Sequence, residues 1–173
     1  KPYGYELFVW SDMFFRPFNH GEYYFKEYKE APQDAKEALP QSVQPVYWDY
    51  YSDDQKSYDT MIKMHKQFRG DVWFAGGAWC WAGFAPLNKL SMRLMNKAMS
   101  ACRDNRVDNI MMTMWGDDGA ECSRNALLPA LCYIAECAKG NFDKEKIKAK
   151  FKRVVGIDFD SFVKADLPNL LTA

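Results

Sequence analysis

Four short apolar runs recur along this chain at intervals of roughly 35 residues, separated mostly by stretches with helical periodicity. They cover residues 6–10 (ELFVW), 44–49 (QPVYWD), 71–75 (DVWFA) and 109–115 (NIMMTMW). Strands and helices that alternate in this way predict a parallel sheet with right-handed crossovers. The fourth run constrains the fold most. Ile110, Met111, Met112, Thr113 and Met114 are apolar on both faces, which suits a parallel strand covered on one side by helices and packed on the other. Trp115, Gly116, Asp117 and Asp118 follow at its carboxyl end, where α/β folds place their ligands.

The intervening segments have readable limits. Residues 13–40 are loop-like and aromatic, with Pro17, Pro32 and Pro40 as breakers and room for a short helix over 33–39. Its Tyr23, Tyr24, Phe25 and Tyr28 suit either a lid or the cover of a rim. Asp53 and Asp54 open a helix over 54–68, whose stripe is Tyr58, Met61, Ile62, His65 and Phe68. His65 reads as a helix-face histidine rather than a ligand. Gly76 and Gly77 end the third strand. A helix is expected over 87–104 and another over 119–138, the latter kinked or restarted by Pro129 and ended by Gly140. Two short helices, 143–155 and about 158–165, complete the chain.

Residues suited to binding follow every strand: Trp10, then Tyr47 and Asp49, then Trp79 or Trp81, then Trp115 and Asp117. A doubly wound sheet concentrates its site at one switch point, whereas a (β/α)8 barrel recruits every strand end. The pattern therefore favours a barrel. Four strands make half of one, since a closed barrel takes about 250 residues. The expected fold is α/β, the carboxyl-terminal half of a TIM barrel (strands five to eight) over residues 1–140, with a helical extension over 141–173.

The two adjacent aspartates differ. Asp118 stands three residues before Glu121, the spacing of a capping box. Asp117 lies two residues past Trp115, so on an extended chain both side chains face the same way. An indole beside a carboxylate suits a sugar, whose C–H face stacks on the ring while its hydroxyls donate to the carboxylate.

Composition removes several classes of function. The 23 basic and 23 acidic residues cancel, which argues against a nucleic-acid partner held by phosphate charge. No apolar run is long enough to span a bilayer, so no membrane partner is expected. Cys80, Cys102, Cys122, Cys132 and Cys137 are odd in number and set at no zinc-ligand spacing. Together with the lack of a visible signal peptide they suggest a reducing, cytoplasmic setting. His20 and His65 are too isolated for a metal site, and no cofactor is expected. Aromatic residues make up 16% of the chain, with six Trp, several of them near strand ends.

Together, Trp10, Tyr47-x-Asp49, GGAWCWAGFAP (76–86) and TMWGDDGAE (113–121) resemble glycoside hydrolase family 20. They are most similar to its intracellular-type exo-β-N-acetylhexosaminidases, over about residues 5–140. The resemblance implies that Trp10, Trp79 or Trp81, and Trp115 wall the pocket for a terminal N-acetylhexosamine. Tyr47 would hydrogen-bond the oxygen of the 2-acetamido group. Asp49 and Asp117 would hold outer hydroxyls, Asp117 with a shorter reach than the Glu found in many members. It also implies substrate-assisted retaining hydrolysis, in which the acetamido oxygen attacks the anomeric carbon. The family's Asp-Glu pair, which orients the acetamide and protonates the leaving group, is absent from this sequence, as is the arginine that grips the sugar. The chain therefore reads as part of a larger enzyme, with a missing amino-terminal half as partner, or self-association if that half is lacking. A non-catalytic carbohydrate-binding module uses the same residues without an acid. A metal or phosphatase site on Asp53–Asp54 and Asp117–Asp118 is the remaining alternative.

Overall fold

The computed structural model describes residues 4–117 and 119–170. In chain order the elements are β1 (Leu7–Trp10), α1 (Asp12–Phe15), a 3-10 turn (Arg16–Phe18), α2 (Gln33–Ala38), β2 (Val43–Trp48), α3 (Gln55–Lys66), β3 (Trp73–Gly77), α4 (Asn88–Asp104) and β4 (Asn109–Thr113). They continue with a second 3-10 turn (Arg124–Leu127), α5 (Leu128–Ala138), α6 (Lys144–Val155), α7 (Phe159–Val163) and a closing 3-10 segment (Lys164–Leu170). The strands form one parallel sheet in the order β1-β2-β3-β4. Crossovers of one hand in sequential order bring the helices to one face. There α3 packs on α4, and α4 on α5.

Side-chain alternation divides the sheet into two faces. Tyr47 pairs with Phe74, and Phe74 with Ile110. All three join the buried cluster of Tyr58, Met61 and Ile62 from α3 and Leu94, Met95 and Ala98 from α4. Val46, Trp48, Trp73, Ala75, Met111 and Thr113 therefore turn to the opposite face. That face curls inward. Phe8 and Trp73 come from strands two apart, about 10 Å on a flat sheet, yet their ring centroids meet at 4.6 Å.

Gly76 and Gly77 end the third strand, as expected, and are its last two residues. A Cβ on Gly76 would run into the Met95 sulfur, and one on Gly77 would lie 2.7 Å from the Trp81 ring and 2.9 Å from Tyr50. The missing side chains let α4 close on one face and aromatic rings on the other. The helix expected over 119–138 begins later. β4 stops at Thr113, and α5 starts at Leu128 with Pro129 in its first turn. Gly119 (φ +103°) and Ala120 (φ +56°) take left-handed backbone, which a right-handed helix excludes. The capping role read for Asp118 lies outside the described residues.

The aromatic segment 13–40 is core rather than lid. Phe15, Tyr23, Phe25 and Leu39 are buried with His65 and Phe68 on the helix side. At the other end of the chain, Ile147 and Phe151 of α6 and Phe159 and Val163 of α7 share the same core. Asp166 accepts from the backbone N–H groups of Asn88 (3.0 Å) and Lys89 (2.9 Å), capping the amino end of α4. Asp54, Asp143 and Asp158 cap α3, α6 and α7 in the same manner. Among the described residues no helix is long and apolar enough to cross a membrane.

Candidate functional site

At the carboxyl ends of the strands a cleft of about 370 Å³ opens on the curled face. Trp10 and Asp12 enter from the end of β1, Trp48 from β2, and Tyr50 and Tyr51 from the loop after it. Trp81 comes from the loop after β3, and Trp115 and Asp117 from the loop after β4. Every strand thus contributes to one wall, and the outermost two meet: the Trp10 and Trp115 ring centroids are 5.9 Å apart.

The indoles are held in fixed orientations. The Trp48 Nε1–H donates to Asp12 Oδ1 at 3.2 Å, while Asp12 Oδ2 pairs with Arg16 at 3.3 Å. Trp81 stacks on Trp79 with ring centroids 4.6 Å apart. Behind it, the Trp79 Nε1–H donates to the Tyr50 carbonyl at 3.0 Å. Of the two tryptophans left open by the sequence, Trp81 lines the cleft and Trp79 supports it. Tyr50 is nearly buried against Trp48 and Trp81. Burial raises its pKa, and side-chain hydrogen bonds with Thr113 and Trp115 pull in the opposite direction without cancelling the rise. The phenol therefore stays protonated at neutral pH.

Trp10, Trp81, Trp115 and Asp117 come together in this cleft; Tyr47 and Asp49 do not. Tyr47 is fully buried among His65, Phe74 and Tyr58 on the helix side. Its hydroxyl donates to Asp49 Oδ2 at 2.9 Å, and burial, helped by the Asp49 charge, raises its pKa well above the usual phenol value. Asp49 is also fully buried. Its Oδ1 accepts from the N–H groups of Tyr51 (2.9 Å) and Ser52 (3.0 Å), and its Oδ2 also accepts from Ser52 Oγ (2.7 Å). Four donors fill the usual capacity of a carboxylate, leaving no lone pair for a sugar hydroxyl. The sugar contacts read for both residues are thus corrected: Asp49 braces the turn that presents Tyr50 and Tyr51.

The correction has a simple cause. Tyr47 and Asp49 share one face, as alternation requires, and Trp48 and Tyr50 share the other. The spacing alone does not say which face meets the helices. A signal was present in the tryptophans. Indoles after successive strands already argued for a wall, and Trp48 was the strand-end indole left without a role. Asp12, Tyr50 and Tyr51 carried no motif of their own.

A buried polar chain supports the cleft from behind. His65 Nδ1 lies 2.7 Å from the Met61 carbonyl, so it must carry the proton and donate. The bare Nε2 then accepts from Ser11 Oγ at 2.7 Å. Ser11 Oγ accepts in turn from the Tyr23 hydroxyl at 2.7 Å, and Tyr23 Oη accepts the Trp48 N–H at 3.3 Å. The chain ties α3 to Ser11, which sits between Trp10 and Asp12, and to the backbone of Trp48. Burial drives the His65 pKa down to about 4, against a smaller upward pull from the Met61 carbonyl.

Asp53 and Asp54 have structural partners. Asp53 pairs with Arg93 and Lys97 across to α4, and Asp54 accepts from the Ser57 N–H. Among the described residues no group of three His, Cys, Asp or Glu side chains is placed to hold a metal. What the cleft offers is an aromatic floor for an apolar ring face, two carboxylates and two phenols for hydroxyl or amide groups. No protein-family model matches this chain, and no curated protein is significantly similar to it.

Proposed function

We propose that the cleft binds the terminal sugar of an N-acetylhexosaminide, and that the chain is the carboxyl-terminal half of a (β/α)8 barrel in an exo-β-N-acetylhexosaminidase. The observation that carries this reading is the convergence of four indoles, one from the carboxyl end of each of four successive parallel strands or from the loop after it, on one cleft with two carboxylates. Sequential strand order and the inward curl fit a barrel segment. Trp10, Trp81 and Trp115 supply stacking surfaces, and Asp12 and Asp117 accept hydroxyl protons. Tyr50 takes the role that the resemblance gave to Tyr47: its protonated hydroxyl braces the acetamide oxygen as that oxygen attacks the anomeric carbon. The amino-terminal half brings the general acid and closes the barrel against β1 and β4.

The test uses both halves as one polypeptide, and this chain alone, with a chromogenic N-acetylglucosaminide. The joined protein is expected to turn over the substrate, and Tyr50→Phe to lower kcat by about 10–1000-fold, as for one lost transition-state hydrogen bond. The chain alone should bind N-acetylglucosamine, seen by quenching of tryptophan fluorescence, without turnover. Unchanged kcat in Tyr50→Phe would remove that residue from the mechanism. Sugar binding without hydrolysis by the joined protein would make it a carbohydrate-binding module instead.

A further inference from the structure

A second groove, of about 480 Å³, runs along the outside of the helix layer between α4 and the α6–α7 pair. Its floor is largely apolar, built from Met92, Ile147, Phe159 and Val163, with Asn96 and Tyr133 beside them hydrogen-bonded to each other. Its rims are cationic. Lys89, Arg93 and Lys97 line one wall; spaced one turn apart on α4, they form a row about 12 Å long. Lys144 and Lys148 line the opposite wall, one turn apart on α6.

The facing carboxylates leave an excess of positive charge. Asp160 pairs with Lys148 at 2.8 Å, with Glu145 a more distant partner at 3.6 Å. A single carboxylate, Asp53, serves both Arg93 and Lys97. Lys89 and Lys144 are exposed and have no carboxylate partner among the described residues.

The arrangement discriminates among anions. A free phosphate needs donors converging on one point, whereas these cations stand in two rows. A nucleic acid held by phosphate contacts favours a chain with a basic excess, whereas the 23 basic and 23 acidic residues here cancel. An amphipathic helix with apolar residues at i, i+3, i+4 and i+7 and acidic flanks matches both the floor and the rims. We propose that this groove docks an acidic amphipathic helix of a partner protein. α4 lies between α3 and α5 in the helix layer, away from the outer strands β1 and β4, so the inference does not rest on the sugar-binding reading.

The probe is a fluorescein-labelled helix of about 16 residues, long enough to hold helical structure, with Leu at the four seam positions and Glu on both flanks. It is titrated with the chain by anisotropy beside a twin with Lys in place of every Glu. Inorganic phosphate and a single-stranded oligonucleotide serve as competitors. The Glu peptide should bind saturably and the Lys twin should not. Lys89→Glu/Lys144→Glu should weaken binding by about tenfold or more, as should added salt. Circular dichroism checks that the double variant folds. Amide-shift mapping on the unaltered chain gives an independent answer, with shifts expected on α4, α6 and α7. Equal binding of the twin, shifts elsewhere, or displacement by phosphate or the oligonucleotide at comparable concentration would overturn the proposal.

Discussion

Lowering the pH should destabilise this fold through His65, with a sign and size that follow from its surroundings. The imidazole is buried, its Nδ1–H is committed to the Met61 carbonyl and its Nε2 accepts from Ser11. A proton on Nε2 would set a donor against the serine proton, inside a core with no counter-ion in contact among the described residues. The native pKa accordingly falls from 6.5 to about 4. The unfolded chain takes up the proton near pH 6.5 and the native chain resists it. Stability is therefore full above about pH 6.5 and is lost as pH falls toward about 4, at about 1.4 kcal/mol per pH unit inside that window. Between about pH 7.5 and 4.5 the loss comes to about 2.5 kcal/mol. Urea unfolding followed by tryptophan fluorescence measures it, in the chain as it stands and in His65→Gln. The variant is less stable at neutral pH because its buried partners lose hydrogen bonds, by about 1–3 kcal/mol. Carboxylates titrate in both proteins, so their contribution cancels. The gap between the two proteins should narrow by about 2.5 kcal/mol across the window. Parallel stability curves would show that His65 does not resist protonation and would refute the assigned hydrogen-bond chain.

Other perturbations separate support from contact. Asp49→Ala strands the Tyr47 hydroxyl and two backbone N–H groups and should cost about 2–3 kcal/mol in thermal or urea unfolding, whereas exposed Asp117→Ala should stay within about 0.5 kcal/mol; a reversal would undo the division between brace and rim. Gly77→Ala drives a methyl against Trp81 and Tyr50 and should cost about 1–3 kcal/mol while weakening N-acetylglucosamine binding by fluorescence titration; unchanged affinity would show that the ring positions do not matter. The chain expressed alone should self-associate, since Tyr5 (72%), Leu7 (56%) and Phe8 (41%) stand exposed along and beside the outer strand β1; a clean monomer by light scattering would refute this.

The order of elements was legible because each rests on local rules. Apolar stripes at helical spacing marked α3 and α4 to within a residue or two, and Asp54 announced the start of α3. The strands were found because short apolar runs were bounded by turn residues. Elements governed by tertiary contact were harder to read. Gly76 and Gly77 end the third strand as the sequence indicates, but nothing in one dimension shows that they are also thin places where Met95 and Trp81 press against the sheet. The left-handed backbone at Ala120 has no sequence signature, so the start of α5 was placed too early.

The candidate site shows the same division more sharply. Alternation pairs Tyr47 with Asp49 and Trp48 with Tyr50, but choosing the face that meets solvent requires knowing what lies beneath it. Here the helix layer decides. Tyr58 and His65 of α3 offer Tyr47 an aromatic and polar niche, and once its hydroxyl enters, the nearest acceptor is Asp49. A carboxylate drawn inward in this way must find donors, and the turn over 50–52 supplies them by folding its own N–H groups back on Asp49. That fold turns Tyr50 outward toward Trp48 and Trp81. The pair that faces the helices and the pair that faces the cleft thus arise together, because satisfying the first fixes the direction of the second. A substitution that frees Asp49 should therefore move Tyr50, and with it the cleft, although neither Asp49 nor Tyr47 reaches the cavity.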